Sequence, residues 1–345
     1  MRNFNYFKEL IDSPRKSVIV THTKPDADAL GSSLGLAGIL KKKNHTVSVI
    51  SPSDYPDFLE WMKGNEEVIN YEKKGNDKKT EKLINEADLI FCLDFNNLHR
   101  LNSIGEKVEK SNAKKILIDH HTEPEKFADF EYWSTNAAAT AELVYDLIVQ
   151  IGEKELIDID IAECLYAGIM TDTGQFKHPN TTRNVHLITA DLIEIGADVS
   201  KVGKLIYDNN SLDRLKFMGF SLSKRLTVLQ EFNTAYFAIN RQDLRKFNSR
   251  TGDTEGLVNF ALSLKGVVFA CLILEREDGV KLSLRSKGEF PTNLFAKENF
   301  KGGGHQNASG GSSELNLEDT VQKFINLLPK YKHLLNKNYK KEIII

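Results

Sequence analysis

Residues 17–33 read SVIVTHTKPDADALGSS, and the fold turns on how this run divides. The opening SVIV is short, apolar and β-branched, the composition of a buried strand. From Ala29 the pattern changes to ALGSSLGLAGILKKK (29–43), with apolar residues recurring three and four positions apart, which predicts a helix. A strand feeding a helix through a short connection is the first half of a βαβ unit. That connection crowds one imidazole and two carboxylates, His22, Asp26 and Asp28, into a few residues. An Asp before a helix is often just its N-cap, and Asp28 fits that role as well as a chemical one.

The alternation continues outward. TVSVI (46–50), DLIFCLD (88–94) and KILID (115–119) read as further strands separated by helical patterns, which predicts a parallel sheet with helices on both faces. From 138 to about 230 helical spacing dominates, in AATAELVYDLIVQIG, DIDIAECLYAGIMTDTG and TRNVHLITADLIEIG. Strands return at TAYFAI (234–239), VVFACLILER (267–276) and VKLSLRS (280–286), followed by a glycine-rich segment at 302–311 and a last helix. The expected class is α/β: a parallel-sheet domain over 1–195, a helical linker over 196–230 and a smaller α/β domain over 231–345.

Composition narrows the function. The 345 residues are 41 % apolar and 27 % charged, ordinary for a globular protein. The 46 basic and 48 acidic side chains nearly cancel, so no bulk positive field invites duplex nucleic acid. Cys92, Cys164 and Cys271 have neither disulfide nor metal spacing and sit in apolar contexts, as buried thiols do. No segment reads as a signal peptide or membrane span, and a cytoplasmic location with no membrane partner is expected.

Three acid or imidazole clusters follow strands of the first sheet: His22, Asp26 and Asp28; then Asp94; then Asp119, His120 and His121. The carboxyl edge of an open parallel sheet is where crevices form, so these clusters are expected to converge there. Asp172 ends an apolar helical run and is a further candidate, with Gly174 as a helix stop. His22, Asp26, Asp28, Asp94, His120 and Asp172 make six oxygen or nitrogen donors without a thiolate, a set suited to manganese and next to magnesium. The four carboxylates balance two divalent ions. Such a pair lowers the pKa of coordinated water and neutralises an attacked phosphoryl group. His45, His99, His178, His186 and His333 lack such company and read as surface or structural residues.

VTHTKPDADALGSSLGL, FCLDFNN, LIDHHTEP and AGIMTDTGQF, together with GGGHQNASGG, resemble in order the motifs of the DHH phosphoesterase family with its DHH-associated C-terminal domain. The resemblance implies a binuclear manganese centre. His22, Asp26 and Asp94 would surround one ion and Asp28, Asp94, His120 and Asp172 the other, with Asp94 as the bridge. Asp119 would orient the histidines. His121 would contact the scissile phosphate and help protonate the leaving oxygen.

In the second domain the glycines of GGGHQNASGG let backbone N–H groups approach an anion, and Arg285 offers a fork for phosphate. On the residues alone the segment could be a flexible loop and Arg285 a surface charge; the resemblance implies Arg285, Ser286, Gly303, Gly304 and His305 as the substrate contacts. The two-domain layout resembles the branch that degrades very short oligoribonucleotides (nanoRNA) and 3′-phosphoadenosine 5′-phosphate (pAp). Short single-stranded RNA or pAp is the expected partner, and a homodimer is left open. The competing readings are a linear (pApA) or cyclic dinucleotide phosphodiesterase, an inorganic pyrophosphatase and a nucleotide sensor without turnover.

Overall fold

The computed structural model describes residues 4–342. They divide at Asn209/Asn210 into two compact units. The first runs α1 (Phe4–Ile11), β1 (Lys16–Val20), α2 (Ala27–Lys42), β2 (Thr46–Ser51), β3 (Ile69–Asn70), α3 (Asn76–Glu86), β4 (Leu89–Leu93), α4 (Ser103–Lys110), β5 (Lys114–Asp119) and β6 (Phe130–Trp133). The helices α5 (Thr140–Gln150), α6 (Ile159–Asp172), α7 (Arg183–Ile195) and α8 (Val199–Tyr207) complete it. Its six strands are all parallel in the order β3-β2-β1-β4-β5-β6.

Period-two alternation explains why both faces are covered. Ile19, Phe91, Ile116 and Ile118 enter one core with residues of α1, α2, α5 and α6. Their neighbours Val18, Val20, Ile90, Cys92 and Leu117 enter the other with residues of α3 and α4. The chain leaves β1 toward β2 on one side and resumes from β4 toward β6 on the other. The switch point of this doubly wound sheet therefore lies between β1 and β4, where a crevice is expected.

Two glycines set how closely α2 and α6 approach. A Cβ on Gly31 would lie 2.3 Å from Cys164 O, and one on Gly168 would lie 2.7 Å from Asp28 Oδ1. The N-cap of α2 is Asp26, whose Oδ1 accepts from the amides of Asp28 and Ala29. Asp28 is thus not the cap; it stands inside the first turn with its carboxylate available to another element.

The second unit carries α9 (Leu212–Lys224), β7 (Leu226–Leu229), β8 (Thr234–Ile239), α10 (Arg241–Lys246), α11 (Leu257–Leu262), β9 (Phe269–Arg276), β10 (Gly279–Ser286), α12 (Thr292–Asn299), β11 (Gly303–His305), β12 (Ala308–Ser313) and α13 (Leu317–Glu342). Its mixed sheet has the order β11-β12-β10-β9-β8-β7, with only β8 and β9 parallel. Phe269, Cys271, Ile273, Leu282 and Leu284 form one core with Phe324 of α13, while Ala270, Leu272 and Leu274 join Leu257 and Phe217 in another. The glycine-rich segment is therefore a hairpin, not an open loop. At Gly302 the absent side chain permits close packing: a Cβ there would lie 2.1 Å from Gly310 O.

Candidate metal centre

The carboxyl ends of β1, β4 and β5 deliver His22, Asp94, Asp119, His120 and His121 to one rim of the first sheet. The start of α2 adds Asp26 and Asp28, and the end of α6 adds Asp172. Ligand atoms of His22, Asp26 and Asp94 lie within 4.8 Å of one another, and so do those of Asp28, Asp94 and His120. Asp94 belongs to both trios. Asp172 joins through His120, whose Nε2 stands 3.3 Å from Asp172 Oδ2, 3.4 Å from Asp94 Oδ1 and 3.8 Å from Asp28 Oδ2. On the other side His22 Nε2 is 3.4 Å from Asp94 Oδ2. All six residues expected from the sequence meet around one centre.

Both imidazoles are aimed by the backbone. His22 Nδ1 donates to Thr23 O at 2.9 Å, and His120 Nδ1 to Ala137 O at 3.4 Å. A carbonyl only accepts, so Nδ1 carries the proton and Nε2 turns toward the carboxylates, the arrangement of metal-bound histidines. Asp28 is held by the first turn of α5: Thr140 N donates to its Oδ2 at 2.7 Å and Ala141 N to its Oδ1 at 2.9 Å. The Thr140 hydroxyl donates to Asp94 Oδ1 at 2.9 Å. Asp94 itself follows β4 with φ +65°, a left-handed backbone that sends its side chain across the rim.

The electrostatics fit a cationic occupant. Burial first, then the charges of Asp94 and Asp172, push the Asp28 carboxyl well above its ordinary range, with His120 opposing. Burial acts the same way on Asp94 but is outweighed by hydrogen bonds from His120 and His22, which hold it well below. Burial works against a charged His120 too; the hydrogen bond to Asp94 and the charges of Asp172, Asp94 and Asp28 prevail and raise it well above the ordinary imidazole value. Buried carboxylates that repel one another and draw a proton onto a histidine are relieved by divalent cations, and a donor set of oxygen and imidazole nitrogen suits such ions.

Asp119 is fully buried and accepts from His121 Nδ1 at 2.7 Å. The other ring nitrogen, Nε2, lies 3.1 Å from Arg100 Nη1. A guanidinium only donates, so in this contact Arg100 is the donor and His121 Nε2 the acceptor. Neither Arg100 nor Thr140 was anticipated. Arg100 follows Asp94 by six residues in a 3₁₀ turn, and its carbonyl accepts from Thr23 N at 2.9 Å and Thr23 Oγ1 at 2.8 Å. That tie between the β1 and β4 connections has no sequence signal.

In the second unit, strand register aligns Arg285 with Ala308 and Ala308 with His305, so the arginine and the histidine share one row across the sheet. Gly304 has φ +132°, and a Cβ on Gly303 would meet nothing within 4 Å. Ser286 is buried, donates its hydroxyl to Phe290 O at 2.6 Å and accepts from Asn307 Nδ2 at 2.8 Å. The bond to Phe290 lies in the turn after β10.

Comparison with known proteins places these features. Residues 16–169 match the DHH family, N-terminal domain, and residues 233–331 match the DHHA1 domain. The chain is 31 % identical over 309 residues to the bifunctional oligoribonuclease and PAP phosphatase NrnA of Thermus thermophilus, covering 89 % of this chain and 87 % of the relative. It is 29 % identical to the protein of the same name from Bacillus subtilis, over 86 % of this chain and 88 % of that one. A crystal structure of an exopolyphosphatase-related protein from Bacteroides fragilis superimposes with a TM-score of 0.91 at 40 % identity, covering 96 % of this chain and 97 % of that one. The chain belongs to the DHH family.

Proposed function

We propose that this protein is a manganese-dependent phosphoesterase that hydrolyses short oligoribonucleotides and pAp. The observation that carries the reading is the convergence of His22, Asp26, Asp28, Asp94, His120 and Asp172 on one rim, with Asp94 common to both trios. The activities named for the T. thermophilus and B. subtilis relatives support the substrate class.

His22, Asp26 and Asp94 would hold one divalent ion, and Asp28, Asp94, His120 and Asp172 the second. When bound, such a pair lowers the pKa of coordinated water and spreads the negative charge of an attacked phosphoryl group. The chain's own residues orient the reaction. Asp119 fixes the His121 ring and Arg100 stands beside it; His121 would contact the scissile phosphate and help protonate the leaving oxygen. The Arg100 guanidinium neutralises charge on a phosphoryl oxygen and supplies N–H donors in a planar fork. In the second unit Arg285, Gly303, Gly304 and His305 bind the nucleotide. Ser286 supports them by holding the turn.

The test is a panel of pAp, pApA, di- to pentaribonucleotides and pyrophosphate with manganese or magnesium. Mononucleotide from the dinucleotides and phosphate from pAp, both lost on chelation, are expected. Release from pyrophosphate alone, or binding without turnover of any member, would overturn the reading.

A further inference from the structure

Beside the centre, at the edge of the first sheet, a cleft of about 410 Å³ opens between the end of β6 and the first turns of α5 and α7. It abuts the histidines at two points. Trp133 Nε1 donates to His121 O at 2.6 Å, and the Ala137 carbonyl, also in the lining, is the acceptor for His120 Nδ1. Trp133 pairs in register with Asp119 on the neighbouring strand, which fixes the ring's place on the rim.

The chemistry of the lining is selective. Trp133 is 41 % exposed, an unusual state for so large a side chain, and its indole N–H is already anchored. The polar groups around it are the amides of Asn136 and Asn184, the hydroxyls of Tyr132, Ser134 and Thr182, and the carboxylates of Glu142 and Asp146; no Lys, Arg or His lines the cleft. Glu142 is buried and set by two hydrogen bonds, from Ala138 N at 2.6 Å and Asn184 Nδ2 at 2.8 Å. An acidic cleft without a cation rejects phosphate. A flat apolar face flanked by acceptors suits an uncharged planar heterocycle carrying N–H groups.

We propose that this cleft is a base-binding subsite, in which Trp133 stacks on the nucleobase of the nucleotide adjoining the phosphate at His121. The inference rests on the phosphoesterase reading and adds to it where a second base goes. The anchored indole presents its face without losing side-chain freedom on binding, and its direct hydrogen bond to the His121 carbonyl keeps the base beside the phosphate at His121.

Two measurements test it. pApA brings two bases to the site and pAp one, so the ratio of KM for pApA to KM for pAp reports the second base. In Trp133→Ala this ratio rises about tenfold, the scale of one lost base–aromatic stack, while Trp133→Phe, which keeps a stacking face, changes it by less than about threefold. A ratio within about twofold of wild type in Trp133→Ala overturns the subsite. With metal removed by EDTA, pApA quenches the tryptophan emission of the wild type. Trp133→Phe, whose remaining tryptophan is Trp61, loses that quenching. Undiminished quenching in Trp133→Phe also overturns it. If the wild type hydrolyses neither substrate, the phosphoesterase reading fails, and the quenching still decides the subsite.

Discussion

The Thr140 hydroxyl donates to Asp94 Oδ1 at 2.9 Å while the Thr140 amide donates to Asp28 Oδ2 at 2.7 Å, so one residue aligns carboxylates from two other elements. Thr140→Val keeps the shape and the amide but removes the hydroxyl. Supporting groups of this kind are worth about 10- to 100-fold in metal affinity. Calorimetric titration with manganese should show weakening in that range for Thr140→Val and recovery in Thr140→Ser. Equal affinities would remove Thr140 from the alignment of Asp94.

Arg100 Nη1 lies 3.1 Å from His121 Nε2, beside the six donors and not among them. Arg100→Gln should therefore keep manganese affinity within about twofold while kcat on pAp falls by about 10²-fold or more, the usual scale for a lost charge-stabilising donor. A variant with normal kcat would show that Arg100 only shapes the loop.

Glycine substitutions should split in sign. In Gly168→Ala the new methyl meets Asp28 Oδ1 at 2.7 Å and Ala141 Cβ at 2.8 Å. Overpacking at so fixed a crossing costs about 1–3 kcal/mol. Gly203→Ala and Gly219→Ala, in helices with nothing within 4 Å, should gain up to about 1 kcal/mol. Urea unfolding of the three variants checks the contrast.

His45 links stability to pH away from the centre. It is buried, with Nε2 donating to Ile11 O at 3.0 Å and Nδ1 3.1 Å from Ser17 Oγ. Burial lowers its pKa from 6.5; the Ile11 carbonyl opposes, Lys43 and Arg15 add to the lowering, and Asp88 counters them. A histidine lowered in the folded state is protonated first in the unfolded chain as pH falls. Its contribution is complete above pH 6.5 and declines as pH drops toward the folded value. The gap in urea midpoint between wild type and His45→Gln should therefore shrink from pH 7.5 to pH 5.5, and a constant gap would refute the linkage.

What could be read in the sequence followed from periodicity. β1, β2, β4 and β5 announce themselves as apolar β-branched runs, and the donors at their ends follow from the topology of a parallel sheet. β3 has two residues, and FEYW in β6 sits on an edge without clear alternation, so neither carries a signal. β11 and β12 are rich in glycine, which is depleted in strands; at Gly304 a Cβ would lie 2.8 Å from Ala308 O, an approach of backbone to backbone that no local pattern signals. Thr140 and Arg100 act through contacts 46 and 21 residues distant along the chain, and no local pattern encodes such meetings.

The left-handed backbone at Asp94 narrows what evolution can put there. Side chains other than Asn, Asp and Gly are strained in that conformation, β-branched ones most of all. A relative that lost the carboxylate yet kept the architecture would meet least strain with Asn or Gly at 94, so those two letters are the ones to look for in a scaffold without the shared donor.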